Sequence, residues 1–147
     1  MKKKLLVSAC LLGECCRYDG KSKKYEELSL LKDKFDLLPV CPEVMGGLSV
    51  PRPSSEIRLD RVINTRGEDV TENFLIGAKE ALCVAKENGI TLALLKERSP
   101  SCGKGRIYDG SFTGRLIEGD GVTAKLLLDS GISVFGESEI DLLLKNS

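Results

Sequence analysis

The sequence predicts an α/β fold: a single-domain, Rossmann-like, open and mainly parallel sheet with helices on both faces and a small hairpin insertion. Short apolar runs typical of buried parallel strands alternate along the chain with segments whose apolar residues recur at helical spacing. This repeated strand–helix–strand order favours parallel strands with helices on both faces of their sheet. The length of 147 residues and the apolar content of 41% suit one domain with a real core, so we expect one domain over residues 1–147.

Four apolar runs predict the strands of this sheet. They occupy residues 5–9, 37–40, 90–95 and 132–135. Pro39 weakens the second run, because proline lacks the N–H group that a central strand needs.

Apolar residues at helical spacing predict four helices. Three of them cover residues 24–34, 122–129 and 138–145. The longest helix follows residue 70, with Thr71 as its cap, and ends at Asn88 and Gly89.

Two further segments lie between these elements. Alternating apolar and charged residues within residues 54–70 predict a small hairpin closed by residues 66–69. Residues 96–120 are rich in glycine and predict a loop of about 25 residues, a length that is usually functional inside a compact domain. Its charged residues Lys96, Arg98 and Lys104 could contact a substrate, although a charged loop is usually only solvated.

Composition excludes several classes of function. Lysine plus arginine equals aspartate plus glutamate at 22 each, so no strong cationic field exists to hold a long nucleic acid or an anionic membrane. The chain has no histidine, which excludes Ser-His-Asp catalysis, Cys-His catalysis and zinc sites of the Cys/His type. Any chemistry must therefore use thiolates, carboxylates, hydroxyls, lysines or a bound cofactor.

The N-terminal segment decides how the cysteines are interpreted. The apolar stretch between Lys4 and Cys10 is too short for a signal peptide, and no run approaches the length of a membrane span. We expect a cytoplasmic protein, in which thiols stay reduced unless a metal or cluster holds them.

Three of the six cysteines follow predicted strands. Cys10 directly follows the first strand, Cys41 directly follows the second, and Cys102 lies in the loop after the third. Ligand sites in open parallel sheets lie outside the carboxyl ends of the strands, so we expect these three thiols to meet at one place.

The other cysteines are weaker candidates. Cys16 lies in the loop after the first strand and could sit beside the same crevice, whereas Cys15 is interpreted as an accidental neighbour. Cys83 falls on the longest predicted helix, where a small packed residue is the simpler interpretation.

An iron–sulfur cluster suits three converging thiolates better than zinc does. Structural zinc prefers four ligands, and paired Cys-x-x-Cys motifs are absent from the sequence. Cysteine thiolates are the usual ligands of iron–sulfur clusters, and a set of three would leave one iron with an open position. Two alternatives stay open: an electron-transfer or redox-sensing protein with Cys16 as a fourth ligand, and a zinc-binding structural module.

The segments around these cysteines resemble the thiouracil desulfidase family, which was long known only as a domain of unknown function. The resemblance rests on Ser8-Ala9-Cys10-Leu11-Leu12-Gly13, Cys16-Arg17-Tyr18-Asp19-Gly20, Pro39-Val40-Cys41-Pro42-Glu43 and Lys96-Glu97-Arg98-Ser99-Pro100-Ser101-Cys102-Gly103. It continues through Ile107-Tyr108-Asp109-Gly110 and Gly119-Asp120-Gly121-Val122-Thr123-Ala124 and so covers essentially the whole chain. The chain is similar to the short, single-domain form of the family.

The resemblance implies a 4Fe–4S cluster with one open iron, held by Cys10, Cys41 and Cys102. It also implies Glu43 and Ser101 as acid–base groups in a non-redox, hydrolytic desulfuration of 2- or 4-thiouracil to uracil and sulfide. The neutral net charge favours a small thiopyrimidine substrate over a thiolated tRNA. We expect a monomer or a homodimer with no membrane partner.

Overall fold

A four-stranded parallel sheet lies at the centre of the fold, in a computed structural model that describes residues 2–12 and 28–145. The strands along this part of the chain are β1 (Lys3–Ser8), β2 (Phe35–Val40), β3 (Ser55–Arg58), β4 (Arg61–Asn64), β5 (Leu92–Leu95), β6 (Arg106–Tyr108), β7 (Leu116–Glu118) and β8 (Ser133–Gly136). The helices are α1 (Leu28–Lys34), α2 (Pro42–Met45), α3 (Thr71–Glu87), α4 (Val122–Asp129) and α5 (Ile140–Lys145). Short 3-10 turns cover Ala9–Leu11 and Glu137–Glu139.

The central sheet has the strand order β2-β1-β5-β8, and all of its pairs are parallel. The predicted parallel sheet is therefore confirmed, with each strand within a few residues of its expected place. Leu5 lies opposite Leu37 on one neighbour of β1, and Leu6 lies opposite Ala93 on the other. Pro39 belongs to the edge strand β2, where a residue without an N–H group is tolerated.

Helices cover both faces of the sheet, as predicted. Alternate residues of β1 explain this, because Leu5 and Val7 point to one face while Leu6 points to the other. The first face packs against α1 and α5, and the second packs against α3 and α4. Among the described residues, no helix has the length and apolar character that crossing a membrane requires.

Two antiparallel hairpins extend the fold beyond the central sheet. Strands β3 and β4 form the predicted first hairpin, but its turn lies at Leu59 and Asp60. The expected closure at residues 66–69 is wrong, because that turn follows β4 and leads into α3. The predicted loop over residues 96–120 is also only partly correct, since β6 and β7 pair within it. These strands have three residues each, too few to show an alternating pattern in the sequence.

Asp69, rather than Thr71, provides the capping contact at the start of α3. The Asp69 Oδ1 atom accepts the N–H of Thr71 at 3.0 Å, and the Thr71 hydroxyl accepts the N–H of Val62 at 2.8 Å. Thr71 is thus the first residue of the helix, and the expectation that it caps α3 is wrong. The predicted end at Asn88 and Gly89 is confirmed.

Arg61 completes this corner by binding the same carboxylate. Its Nε atom donates to Asp69 Oδ2 at 2.8 Å, and both side chains are exposed. Hydrogen bonds from Arg61 and Thr71 lower the pKa of Asp69 from 3.8 to about 2. A carboxyl with a lowered folded-state pKa stabilises the protein above its unfolded-state pKa, and this stabilisation is lost as the pH falls through the folded-state value.

Replacing Asp69 by asparagine should therefore lower the midpoint of thermal unfolding at neutral pH. The amide still accepts the Thr71 N–H but loses the charge that pairs with Arg61. The difference between the two proteins should be complete above about pH 4 and should shrink toward about pH 2. Thermal unfolding followed by circular dichroism across this range checks the prediction, and a difference that does not change with pH would contradict it.

Candidate active site

A cavity of about 520 Å³ lies at the carboxyl ends of β1, β2 and β5. Its lining residues fall into two groups. The first group, which we call the sheet-edge wall, follows the central strands and comprises residues 8–10, 40–43, 96–100 and Cys102. The second group, the hairpin wall, comes from the two hairpins and the turns beside them and comprises residues 54–56, Thr65, Tyr108, Phe112 and Gly114.

The thiols of Cys10, Cys41 and Cys102 all line this cavity. Cys10 lies in the 3-10 turn after β1, Cys41 lies between β2 and α2, and Cys102 lies in the segment after β5. Cys10 and Cys102 are buried, Cys41 is half-buried, and none of the three is in a disulfide. The parallel sheet places these segments together because their strands all end at the same edge.

The remaining cysteines do not join this group in the described structure. Cys83 is exposed on α3 and does not line the cavity, so its predicted packed position is wrong. The buried face of α3 includes Ala78, Ala81 and Ala85, and Cys83 falls outside that stripe. Cys15 and Cys16 lie outside the described residues.

Three cysteines from separate segments on one cavity wall are the kind of donor set that iron–sulfur clusters use. Within residues 2–12 and 28–145, no three histidine, cysteine, aspartate or glutamate side chains are placed to hold one ion. The donor set is also the soft sulfur ligand that such clusters prefer.

The protonation of Cys102 shows how strongly the cavity affects its ligand groups. The pKa of this thiol is raised to about 12, chiefly by burial and also by the charges of Glu43 and Cys41, while Ser8 and Ser101 act in the opposite direction. Cys102 is therefore protonated at neutral pH in the protein alone, and a metal bound by its thiolate would have to displace that proton.

Backbone hydrogen bonds fix the segment that carries Cys102. The Ser99 hydroxyl accepts the N–H groups of Ser101 at 3.1 Å and of Cys102 at 3.0 Å. The Ser99 carbonyl accepts the N–H of Gly103 at 2.8 Å, so three consecutive residues donate to one serine. This arrangement turns Cys102 into the cavity.

Ser101 lies behind Cys102 rather than on the cavity wall. Its side chain is 1% exposed, and its hydroxyl is hydrogen-bonded to the Thr123 hydroxyl of α4 at 2.8 Å. The Ser101 side chain also lowers the pKa of the Cys102 thiol. The structure thus brings Ser101 to the thiol and to a buried hydroxyl, but not to the lining of the cavity.

Glu43 lines the cavity from the first turn of α2, where Arg52 holds it. Its side chain is 18% exposed, and its Oε2 atom lies 3.0 Å from Arg52 Nη2. The Arg52 side chain is only 4% exposed and also donates through Nη1 to the Ser49 carbonyl at 2.9 Å. Sequence analysis missed Arg52, because nothing in its segment signals that a charged residue between two prolines is buried.

Two other charged residues that the sequence singled out reach the cavity. Lys96 and Arg98 both line it, and the Lys96 ammonium pairs with Glu137 Oε2 at 2.8 Å. Lys104 instead lies 3.8 Å from Glu139 and above the ring of Phe135, away from the lining. Sequence analysis assigned no role to Ser8 and did not predict the hairpin wall, since both depend on contacts between distant segments.

Close contact between α2 and α3 positions the segment that carries Cys41 and Glu43. A Cβ atom at Gly77 would overlap the Pro42 carbonyl, and one at Gly46 would overlap the Asn73 carbonyl. The Asn73 Nδ2 atom also donates to the Gly46 carbonyl at 2.8 Å. The two glycines therefore let the helices approach more closely than any other residue would.

Comparison with known proteins gives three consistent results. The model of the family described as 2-thiouracil desulfurase matches residues 5–139. The chain is 41% identical over 150 residues to the uncharacterized protein YbbK of Bacillus subtilis (strain 168), a match that covers 95% of this chain and 99% of YbbK. It is also similar to the solved structure of the 4Fe–4S-dependent thiouracil desulfidase TudS, with a TM-score of 0.91, 46% identity, and 99% and 100% of the two chains covered.

Replacing Gly77 by alanine should destabilise the protein. The added methyl group meets the Pro42 carbonyl, and such overpacking costs about 1–3 kcal/mol in the free energy of unfolding. At an open helix position the same change would stabilise the protein by about 1 kcal/mol. A loss of stability therefore indicates close contact at Gly77, and a gain indicates open space. Urea denaturation measures it, with Lys79→Ala as the control on an exposed site of the same helix. A more stable Gly77→Ala protein would contradict the close contact.

Proposed function

We propose, since this chain belongs to the 2-thiouracil desulfurase family, that it removes sulfur from thiouracil and releases uracil and sulfide with the aid of a 4Fe–4S cluster. The family resemblance of the cysteine segments is thereby confirmed. The observation that carries the proposal is the placement of three thiols, from three strand ends, on the wall of one cavity. The similarity to a 4Fe–4S-dependent thiouracil desulfidase over essentially the whole chain supports the cofactor and the reaction.

Cys10, Cys41 and Cys102 would hold the cluster. With three protein ligands, one iron of the bound cluster would stay open and would supply Lewis-acid chemistry toward the sulfur of the substrate. The donor set on the cavity wall supports this assignment. The chain contributes the thiolates, the walls that orient the substrate, and the groups that move protons.

Glu43 is the residue we propose to accept a proton from the attacking water. Arg52 occupies its Oε2 atom, and within the described residues no hydrogen bond engages its Oε1 atom, on a side chain that lines the cavity. The water oxygen adds to the ring carbon that bears sulfur while Glu43 takes the proton. As the carbon–sulfur bond breaks, the added oxygen gives up its remaining proton and forms the carbonyl of uracil. The sulfur departs as hydrogen sulfide with that proton and the one held by Glu43, so no electron is gained or lost overall.

Ser101 lies behind Cys102, outside the cavity lining, and supports the proposed cluster site from there. Its hydroxyl is hydrogen-bonded to Thr123, and it lowers the pKa of Cys102, which suits a group that steadies the thiolate. We propose this positioning role beside the acid–base role that the family resemblance implies. Either role requires the hydroxyl at residue 101.

A free thiouracil base is the substrate we propose. The cavity of about 520 Å³ suits a small molecule, and a net charge of zero gives no general attraction for tRNA. We also infer a cytoplasmic location, because unbridged thiols and an iron–sulfur cluster are typical of a reducing compartment. A monomer or a homodimer is expected, and gel filtration of the loaded protein distinguishes the two.

Replacing Cys10, Cys41 or Cys102 by alanine should each abolish cluster binding, because each removes one of three ligands. Iron content and visible absorbance after anaerobic reconstitution measure the loss. Cys83→Ala is the matched control, since Cys83 is an exposed thiol outside the cavity and its loss should leave the iron content unchanged. Cys16→Ala should also retain the cluster; if it does not, a four-ligand site becomes the better account. Full iron retention in Cys41→Ala would exclude the proposed ligand set.

Replacing Glu43 by glutamine should slow sulfide release without affecting the cluster. The amide keeps an oxygen for Arg52 but cannot accept the proton, and loss of a general base costs about 100-fold in rate. Anaerobic assays of sulfide and uracil measure kcat, and the visible spectrum reports the cluster. Glu118→Gln, on the exposed strand β7, is the control. An unchanged kcat in Glu43→Gln would leave this carboxylate with a structural role only.

A further inference from the structure

The hairpin wall carries the aromatic side chains of the cavity. Five aromatic residues lie in the described ranges, of which two are buried in the core and one lies beneath the Lys104 ammonium (Phe35, Phe74 and Phe135). The other two, Tyr108 and Phe112, line the cavity that also contains the three thiols. A substrate that reaches the thiols must therefore enter a space that both rings line.

The backbone at Phe112 adopts a conformation that a bulky residue rarely takes. Its φ angle is 59°, in the left-handed region where the Cβ atom is crowded. Such a conformation persists only where surrounding contacts enforce it, and it is commonest at ligand sites.

Glu56 provides the main contact that enforces this conformation. This residue of β3 is only 9% exposed, and its Oε1 atom accepts two backbone N–H groups, from Gly110 at 3.0 Å and from Phe112 at 3.1 Å. A buried carboxylate thus anchors a loop that is distant in sequence. Hydrogen bonds to a charged acceptor are about twice as strong as those between neutral groups.

Three further contacts stiffen the same loop. The Arg58 guanidinium donates twice to the Gly110 carbonyl, at 3.1 and 2.7 Å. The Asp109 carboxylate accepts the N–H of Ser111 at 2.9 Å, and the Asp109 N–H closes the loop onto the Arg115 carbonyl at 2.9 Å. The loop that presents Phe112 is therefore fixed before any ligand arrives.

We propose that Phe112 is the residue that recognises the pyrimidine, by stacking its ring on the heteroaromatic ring of the substrate, and that Glu56 is a positioning residue that holds Phe112 in place. The inference rests on the proposed function and deepens it. It assigns sulfur chemistry to the sheet-edge wall and base recognition to the hairpin wall. An aromatic side chain can stack on any nucleobase, because every base presents a planar π face.

The test compares variants of the cluster-loaded protein by two measurements. Steady-state desulfuration of 2-thiouracil gives kcat and KM, and anaerobic calorimetry gives the Kd of uracil, which needs no sulfur chemistry. Phe112→Ala and Phe112→Leu should raise KM and the Kd of uracil about tenfold or more, because both lose the π face. Phe112→Tyr should restore both constants. Thr113→Ala, in the same loop but outside the cavity lining, is the control for general disturbance.

Variants of Glu56 distinguish a role in positioning Phe112 from a general role in folding. Glu56→Gln keeps one oxygen that can accept both N–H groups and should retain a KM near that of the wild type, whereas Glu56→Ala should behave like Phe112→Ala. The visible absorbance per iron should be the same in all of these proteins. A changed cluster spectrum in Phe112→Ala would show that the ring supports the cluster and would overturn its assignment to the substrate.

The outcomes distinguish this inference from the proposed function. If wild-type protein desulfurises thiouracil while Phe112→Ala and Phe112→Leu leave KM and the Kd of uracil unchanged, stacking is overturned and the function stands. If the wild type loads the cluster and releases no sulfide, the proposed function fails. The Kd of uracil for the wild type and the Phe112 variants then tests the stacking by itself. A wild-type protein that binds neither uracil nor thiouracil overturns both.

Discussion

The parallel pairing of β1 with β2 on one side and with β5 on the other is the constraint on which the site depends. Parallel strands end at the same edge, so the segments that follow β1, β2 and β5 emerge together although they are far apart in sequence. The strand order reverses direction at β1, because the chain first adds β2 on one side and then crosses to β5 on the other. A crevice opens at such a point, and Cys10, Cys41 and Cys102 line it.

Alignment of the strands alone would leave the ligand groups loosely placed, and local contacts supply the remaining precision. Gly77 admits the Pro42 carbonyl, which presses the segment of Cys41 against α3. The winding of the chain around Ser99 fixes Cys102 in a comparable way. The contacts of Ser99 occupy backbone N–H groups that would otherwise need water, so the hydrogen bonds that satisfy this loop also orient Cys102.

The two walls of the cavity differ in origin and in chemistry. The sheet-edge wall carries sulfur and charged groups, because it consists of strand ends and the residues that directly follow them. The hairpin wall comes from inserted segments that pair outside the central sheet, and the contact of Glu56 with Gly110 joins the two hairpins to each other. Substitutions in the hairpins can therefore change what the cavity admits while the sheet and its thiols remain in place.

The parallel sheet, the helices on both faces and the three cysteines after the strand ends can be predicted from the chain alone. Each of these depends on local periodicity or on a residue's place after a strand, which a linear pattern records. The burial of Arg52 beside Glu43, the capping of α3 by Asp69 and the anchoring of Phe112 by Glu56 become visible only in the folded protein. These features are contacts between separate segments, and their energies depend on distances that exist only once the chain has folded.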